Sequence, residues 1–508
     1  MATEMTDVQS PTLDYTIDNS KVDPNQVKLS ADFGEFPYPE SRTRLIQYGY
    51  YEKLFVGDHF NAFNIKIDNE QYGREYSRLR YVKANFAGLI SKVIADFLFS
   101  EPIKIKCPEG DQDFIDSLVR ANNLNTQLYE SALSNSYNGD AVLKIRSGYR
   151  NKFDTQQAVI IEDITPSVYF PKVDGFNVRA VPDEVELAWT FKLNDKEYLR
   201  KEIHRSGVII NEVYELKGTK IVQKVGVDIL GLNLAEDITT GISEPLIYHV
   251  PNWKAGNRYF GISDYHDLDN LFYAINNRLT KTDNILDKHS DPILAVPPGI
   301  LDEKGNVKKK ALGVIEVAEG ENGKPEYVVW DANLESAFKE VEKLVEVLLM
   351  TSEISPDAFG MGSGQSDSGR ALKYKLLRII AKAARKKLYY DNAIKKTLYT
   401  AQVLAKKWGF EAEPGVKIKG EPSEIEIVWN DGIPVDEKEQ LENETMAIDA
   451  GIESKQSAIM KIYNVDEKSA DEMLAKIEKE QPKIELPDMP FTKNPPMKPM
   501  VKPAPKTV

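Results

Sequence analysis

The chain has 508 residues, 42% of them hydrophobic and 28% charged, with a formal net charge of −14 at pH 7. That length can bury a large core and suggests more than one domain; the acidic balance argues against a general nucleic-acid coat, which is usually basic. Cys107 is the single cysteine, which excludes disulfides and thiolate metal sites within one subunit.

No apolar run is long enough to span a bilayer, and Met1–Asp7 lacks the basic and apolar regions of a signal peptide. An intracellular chain, or one assembled from parts made in a cytoplasm and without a membrane partner, is expected. Residues 1–40 are polar and proline-spotted and read as a flexible arm. Tyr48, Tyr50, Tyr51 and Phe55 open a more ordered region. Val82–Phe99 predicts an amphipathic helix with Phe86, Ile90, Val93, Ile94 and Phe97 on one side, ended by Pro102. Ile103–Lys106 alternates like a short strand. Helices are expected at about Gln112–Ala121 and Thr126–Tyr137.

Between Ala141 and Val227 the pattern changes to short alternating runs: Ala141–Ile145, Ala158–Ile161, Glu186–Phe191, Lys201–His204 and Glu212–Leu216. They predict one antiparallel sheet. Gly261-Ile-Ser-Asp264 then opens a helix to about Lys288, with Ser263 or Asp264 as N-cap. Its apolar residues Leu268, Leu271, Ile275, Leu279, Thr282 and Leu286 step by three and four. A second helix, Leu334–Met350, carries the same spacing in Leu334, Phe338, Val341, Val345 and Leu348. Both are near-heptad seams. Between them lies a Pro/Gly-rich insertion, 291–333, with Lys308, Lys309, Lys310 and a strand at Tyr327–Trp330. Such a hairpin cannot bury both faces alone, so neighbours of the same kind are expected beside it.

A flexible, almost uncharged loop follows over 355–368, containing Phe359, Met361, Gly362, Ser363, Gly364, Gln365 and Ser366. Next comes a long basic helix. From Ser368 to Lys407 there are twelve Lys/Arg against Asp391 alone, a net charge of +11, which leaves −25 for the rest of the chain. Ser366 or Ser368 can cap its start and Gly409 its end. At about 1.5 Å per residue it is on the order of 60 Å long, so a kink is expected, best placed at Asp391–Asn392. Glu424–Trp429 predicts a strand and Asn430–Asp436 a turn. Helices at about Glu437–Ala450, Lys455–Tyr463 and Glu467–Glu480 precede a Pro/Lys-rich tail from Gln481, expected to be disordered.

The search for chemistry yields no reaction. The five histidines are scattered, without metal-helix spacing. Gly320–Pro325 lacks the spacing of a phosphate loop, and Gly360–Gly364 fits neither a dinucleotide motif nor a nucleophile elbow. No cofactor or metal is expected. Two readings of the basic helix stand side by side. Arg370, Lys373, Lys375, Arg378, Lys382, Arg385 and Lys386 either contact a polyanion, or are solvated and pair with the chain's own acidic helices through Glu335, Glu340, Glu342 and Glu346. The lysines step around the helix, which weakens a dedicated DNA groove.

Four stretches, in this order and spacing, resemble the portal proteins (head–tail connectors) of tailed double-stranded-DNA bacteriophages, of the long-tailed siphophage type. They are Asn85–Ile103, with its Glu101-Pro102 turn; Gly261–Leu271, opening G-x-S-D; Ser368–Lys375, similar to an S-G-x-A-L-K motif; and Trp429–Asp436 with Ala450–Ser454 behind it. The resemblance spans roughly residues 45–480.

It implies an α+β, helix-dominated, non-enzymatic subunit. Such subunits form a homo-oligomeric ring, usually of twelve copies, at one capsid vertex of the virion. The terminase large subunit drives double-stranded DNA in through the channel, and the DNA later leaves by it. Head–tail connector (adaptor) proteins, capsid and scaffolding proteins are the other implied partners. The implied parts are a mixed α/β wing over 41–260, stem helices at 261–290 and 334–354, and a clip over 291–333. A tunnel loop over 355–368 would face DNA, followed by a long wing helix and closing strand at 369–435 and a helical crown at 436–480.

The alternative is a nucleic-acid-processing enzyme that holds substrate on the basic helix at 370–407. It predicts a deep pocket with convergent polar groups near 355–407. A third reading, a cytoplasmic scaffold binding a protein partner through that helix, predicts a monomer indifferent to DNA.

Overall fold

The computed structural model describes residues 34–65, 81–150, 153–154, 156–231, 234–290, 293–296, 314–316, 326–328, 334–361, 369–429, 437–463, 465 and 467–480. They fall into two compact units, divided between Ile433 and Pro434. The chain is mixed helix and sheet.

In the first unit, helix α1 (Arg42–Val56) buries Tyr48, Tyr51 and Leu54, and the short α2 (His59–Ala62) follows. Helix α3 (Phe86–Phe99) starts four residues later than the apolar spacing suggests. Asn85 caps it by accepting the Gly88 N–H at 3.0 Å. The preceding residues are held elsewhere: Val82 N–H donates to Thr280 Oγ1 (3.1 Å) and Ala84 N–H to Asn276 Oδ1 (2.7 Å). Ser91, Ala95 and Leu98 are buried along with Ile90, Val93 and Ile94, so α3 is a core helix rather than a one-sided one. Helices α4 (Gln112–Ala121) and α5 (Leu124–Asn138) complete this layer.

The runs between 141 and 227 form two sheets, not the single sheet that their alternation suggested. Strands Asp140–Gly148 and Ala158–Ile164 belong to a five-stranded sheet with Ile247–Pro251 on one side and Glu411–Glu413 and Val416–Lys417 on the other. This sheet is not wholly antiparallel, because Glu411 pairs in parallel with Ala158. The runs 184–193, 196–205, 208–217 and 220–225 form a separate antiparallel sheet, flanked by 169–171 and 237–239. The cause is two-sided burial. Ala141, Leu143 and Ile145 face the main helical core, while Val142 packs with Val185 and Leu187 of the second sheet. A near-continuous apolar run is what a strand buried on both faces needs.

Helix α6 (Asp269–Ser290) lies against α7 (Leu334–Ser352) as a hairpin. Leu268, Phe272, Ile275 and Leu348 are buried near its base, whereas Leu286 and Phe338 are 42% and 48% exposed further out. Arg278 Nε donates to Glu340 Oε1 across the pair at 2.7 Å. Between the two helices, Ile293–Val296 pairs with Val314–Glu316 in parallel and with Glu326–Val328 antiparallel.

Helices α8 (Gly369–Lys375) and α9 (Leu377–Trp408) are parted only at Leu376, where ψ is 3°. The break is therefore not at Asp391–Asn392, which α9 passes without interruption. Asp391 is engaged away from its own backbone, accepting Trp429 Nε1–H at 3.0 Å and pairing with Lys395 at 2.7 Å. Gly409 ends α9 at φ 69°, its N–H donating to Ala405 O, as the C-cap reading expects.

The second unit comprises α10 (Glu437–Asp449), α11 (Lys455–Tyr463) and α12 (Glu467–Glu480). Lys461 joins Glu444 and Glu453 within it.

Candidate functional site

The residues that begin the α6–α7 hairpin, those that end it and the first half of α9 converge on one buried carboxylate. Asp264 is the last residue of the Gly261-Ile-Ser-Asp264 segment, and its side chain is 1% exposed. Lys382 Nζ lies 3.0 Å from Oδ1 and Lys386 Nζ 2.8 Å from Oδ2. Ser136 Oγ donates to Oδ2 at 2.8 Å. Lys382 also donates to the carbonyl of Ser352, the last residue of α7, at 2.9 Å. A cation at that end completes the unpaired carbonyls and opposes the helix dipole.

Burial alone would push the Asp264 carboxyl up; Lys382 and Lys386 outweigh it and hold the group well below the usual carboxylate range. Burial pushes the Lys386 ammonium down to about 8, against the pull of Asp264. The centre thus holds two ammonium groups for one carboxylate. One residue past α7, Glu353 sits at φ 59°, and both of its carboxylate oxygens accept from Arg385 Nη2, at 2.7 and 2.8 Å.

A second carboxylate lies behind the same segment. Asp140 Oδ1 accepts from His249 Nε2 (2.6 Å) and the Gly261 N–H (2.8 Å), and Oδ2 accepts from Tyr48 OH (2.5 Å). The His249 ring lies near-parallel to those of Tyr169 and Tyr259, at 5.5 and 4.9 Å between centroids, and the two tyrosine hydroxyls hydrogen-bond to each other at 2.6 Å. The backbones of residues 139 and 261 touch. A Cβ on Gly261 would come within 2.1 Å of Gly139 O, and one on Gly139, at φ 91°, within 2.7 Å of Ser263 N. Only glycine fits at either position. Ser263 is not an N-cap of α6. Its Oγ donates to Tyr137 O at 2.7 Å and accepts the Tyr265 N–H at 3.0 Å, while α6 begins five residues later than Asp264.

The basic residues singled out from sequence part into groups. Lys382 and Lys386 are buried at Asp264. Arg385 is exposed and bound to Glu353, and Lys375 lies 3.5 Å from Asp357. Lys373 and Arg378 are exposed; Arg370 lies in the first turn of α8. Among the described residues, Asp264, Glu353 and Asp357 are acidic partners of these cations. Glu335 and Glu346 pair with Lys339 and Lys343 of their own helix, and Glu340 pairs with Arg278. Phe359 packs half-buried against the main core after a turn of 3-10 helix, and Met361 is 63% exposed. Gly362, Ser363, Gly364, Gln365 and Ser366 lie outside the described residues, as do Lys308, Lys309 and Lys310.

Among the described residues no group of three His, Cys, Asp or Glu is gathered to hold a metal, and no helix is long and apolar enough to cross a membrane. A groove lined by Asp116, Arg120, Val416 and Lys419 lies where the chain returns after the far end of α9, away from residues 355–376. The sequence does not announce that Asp140, His249 and Tyr48 meet. Their signal was faint, an Asn-Gly-Asp step at 138–140 ahead of an apolar strand.

A family model described as phage portal protein, SPP1 Gp6-like, matches residues 41–483. No curated protein matches the chain. Among the solved structures that it is similar to are two phage-like particles. One is "Neck of empty GTA particle computed with C6 symmetry", at 10% identity and a TM-score of 0.43, covering 76% of this chain and 91% of that one. The other is "Virion of native gene transfer agent (GTA) particle", at 10% identity and a TM-score of 0.39, covering 85% and 95%. The family match takes in the glycine contact, the Asp264 centre and both arms of the hairpin, and by it the chain belongs to the SPP1 Gp6-like phage portal proteins.

Proposed function

We propose that this portal-family chain is a structural subunit of a closed ring, usually of twelve copies, at one capsid vertex. DNA enters through its channel under terminase drive and leaves through it at ejection. In this reading α6 and α7 are the stem and residues 291–333 the clip that meets the terminase and later the head–tail connector proteins. Residues 355–368 form the tunnel loop facing DNA, α9 is the long wing helix and α10–α12 the crown. Synthesis in the host cytoplasm and assembly with capsid and scaffolding proteins complete it.

The observation that carries the reading is the family match over 41–483. The Asp264 centre gives it a physical basis, because a loop set between α7 and α8 is rooted where both hairpin arms are clamped. The hairpin's outer apolar residues, Leu286 and Phe338, want lateral neighbours, and a head-to-tail contact that closes makes a ring. A loop of Gly, Ser and Met offers small uncharged contacts suited to sliding DNA, and an acidic subunit discourages counterion-driven sticking.

Native mass measurement with electron microscopy of the same sample tests the ring: about a dozen copies around a hole are expected. Gly362→Pro or Gly364→Pro should leave assembly intact and block DNA passage; normal packaging by either variant refutes the loop assignment.

A further inference from the structure

The end of α8 and the first half of α9 carry, on the side away from Asp264, an apolar seam that no described residue of the same compact unit covers. Tyr374, Leu377 and Leu388 are 69%, 58% and 74% exposed, and Ala381 and Ala384 between them are exposed too. The steps 374–377–381–384–388 are three, four, three, four, the spacing of a helix-packing seam. Alanines at its centre allow a second helix to approach closely, and the large residues at either end can close around it. Arg378 lies along the seam's edge, on a segment of net charge +11 in a chain whose remainder sums to −25.

We infer that this seam is an interaction surface for a second copy of the chain, and that it receives the exposed face of that copy's α7. That helix has the complementary make-up: it carries four Glu against two Lys, and on it Val347 and Met350 are 37% and 71% exposed beside the Lys343–Glu346 pair. Apolar side chains gain nothing from a phosphate backbone, whereas a helix with acids flanking a short apolar strip satisfies both the seam and its basic edge. The contact joins two different faces, so it propagates head to tail rather than pairing two copies. The inference rests on the ring reading and names the faces that would make the ring.

The test uses the full-length chain, with a photo-crosslinking amino acid in place of Leu388. It is assembled from a mixture of isotope-labelled and unlabelled copies with double-stranded DNA present, and crosslinked peptides are identified by mass spectrometry. The expected product joins position 388 of one copy to residues between 334 and 352 of another. A companion variant, Leu377→Asp with Leu388→Asp, should keep the circular dichroism and melting of the single chain, since both side chains are exposed. Its ring fraction should fall about tenfold or more. Rings that form with no inter-copy crosslink from 388, or with one landing elsewhere, overturn the inference and leave the ring reading standing. A crosslink to DNA overturns it in favour of a nucleic-acid surface. A parent chain that never forms rings under any assembly condition overturns both.

Discussion

Asp140 and Asp264 are both buried, both reach the Gly261–Asp264 segment, and are satisfied by different sets of donors. Asp140 takes a tyrosine hydroxyl, an imidazole nitrogen and a backbone N–H, from Tyr48, His249 and Gly261. Asp264 takes two ammonium groups from α9, more than a hundred positions along the chain, and shares one of them with the end of α7. The first arrangement closes a local fold. The second ties together four segments, α5, Gly261–Asp264, the end of α7 and α9, and the last two flank the stretch proposed to meet DNA. A buried carboxylate with an excess of cation is a poor device for stability, because desolvation takes back most of the attraction. What it secures is position.

The comparison breaks if the two carboxylates behave alike. Asp264→Ala leaves two buried ammonium groups without a counter-charge and should cost about 3–5 kcal/mol in denaturant unfolding. A loss below about 1 kcal/mol would mean that the lysines reach water and the centre is not dry. Gly261→Ala drives a methyl group into the Gly139 carbonyl and should cost about 3 kcal/mol, with loss of the near-ultraviolet signal of the stacked tyrosines. Asp140→Asn removes one acceptor from the donors Tyr48, His249 and Gly261 and should cost about 1–3 kcal/mol. Unlike Asp264→Ala, it should leave proteolysis between 353 and 376 unchanged.

Lys386→Met sharpens the contrast with the smallest effect. Asp264 keeps Lys382, a surplus buried charge is gone, and stability at pH 7 should stay within about 1 kcal/mol of the parent. Its pH dependence is the informative part. The folded Lys386 releases its proton near pH 8 and the unfolded one near 10.5. Between those values the unfolded chain binds more protons, so this group's contribution rises with pH. The difference between parent and Lys386→Met should move in the parent's favour across that window, and a flat difference would show that the ammonium is solvated.

Much of the fold was legible where one rule acted alone. Gln112–Ala121, Lys455–Tyr463 and Glu467–Glu480 follow from period and composition, and Gly409 from its place at the end of a basic run. Local rules failed where a distant partner decided. Val82–Asn85 has the composition to continue α3, but Asn276 and Thr280 take its backbone donors. The charge of 368–407 announced that the helix mattered without saying which cations were buried. Lys382 and Lys386 are one turn apart, as many solvated pairs are, and their common partner lies at position 264. The alternation over 141–227 gave strands but not sheets, because a run buried against helices on one side and a second sheet on the other differs from a one-sided run only in what lies across the space.

The 22 residues of α6 extend about 33 Å from the root of the hairpin. The same carboxylate that binds α9 sits just before that root, and the lysine beside it holds the last carbonyl of the returning arm. The hairpin is therefore mounted like a lever whose fulcrum is a charge cluster instead of a flexible joint. Two further elements meet that cluster directly, α5 through Ser136 and α9 through Lys382 and Lys386, so the root of the hairpin is fixed to the core from both sides.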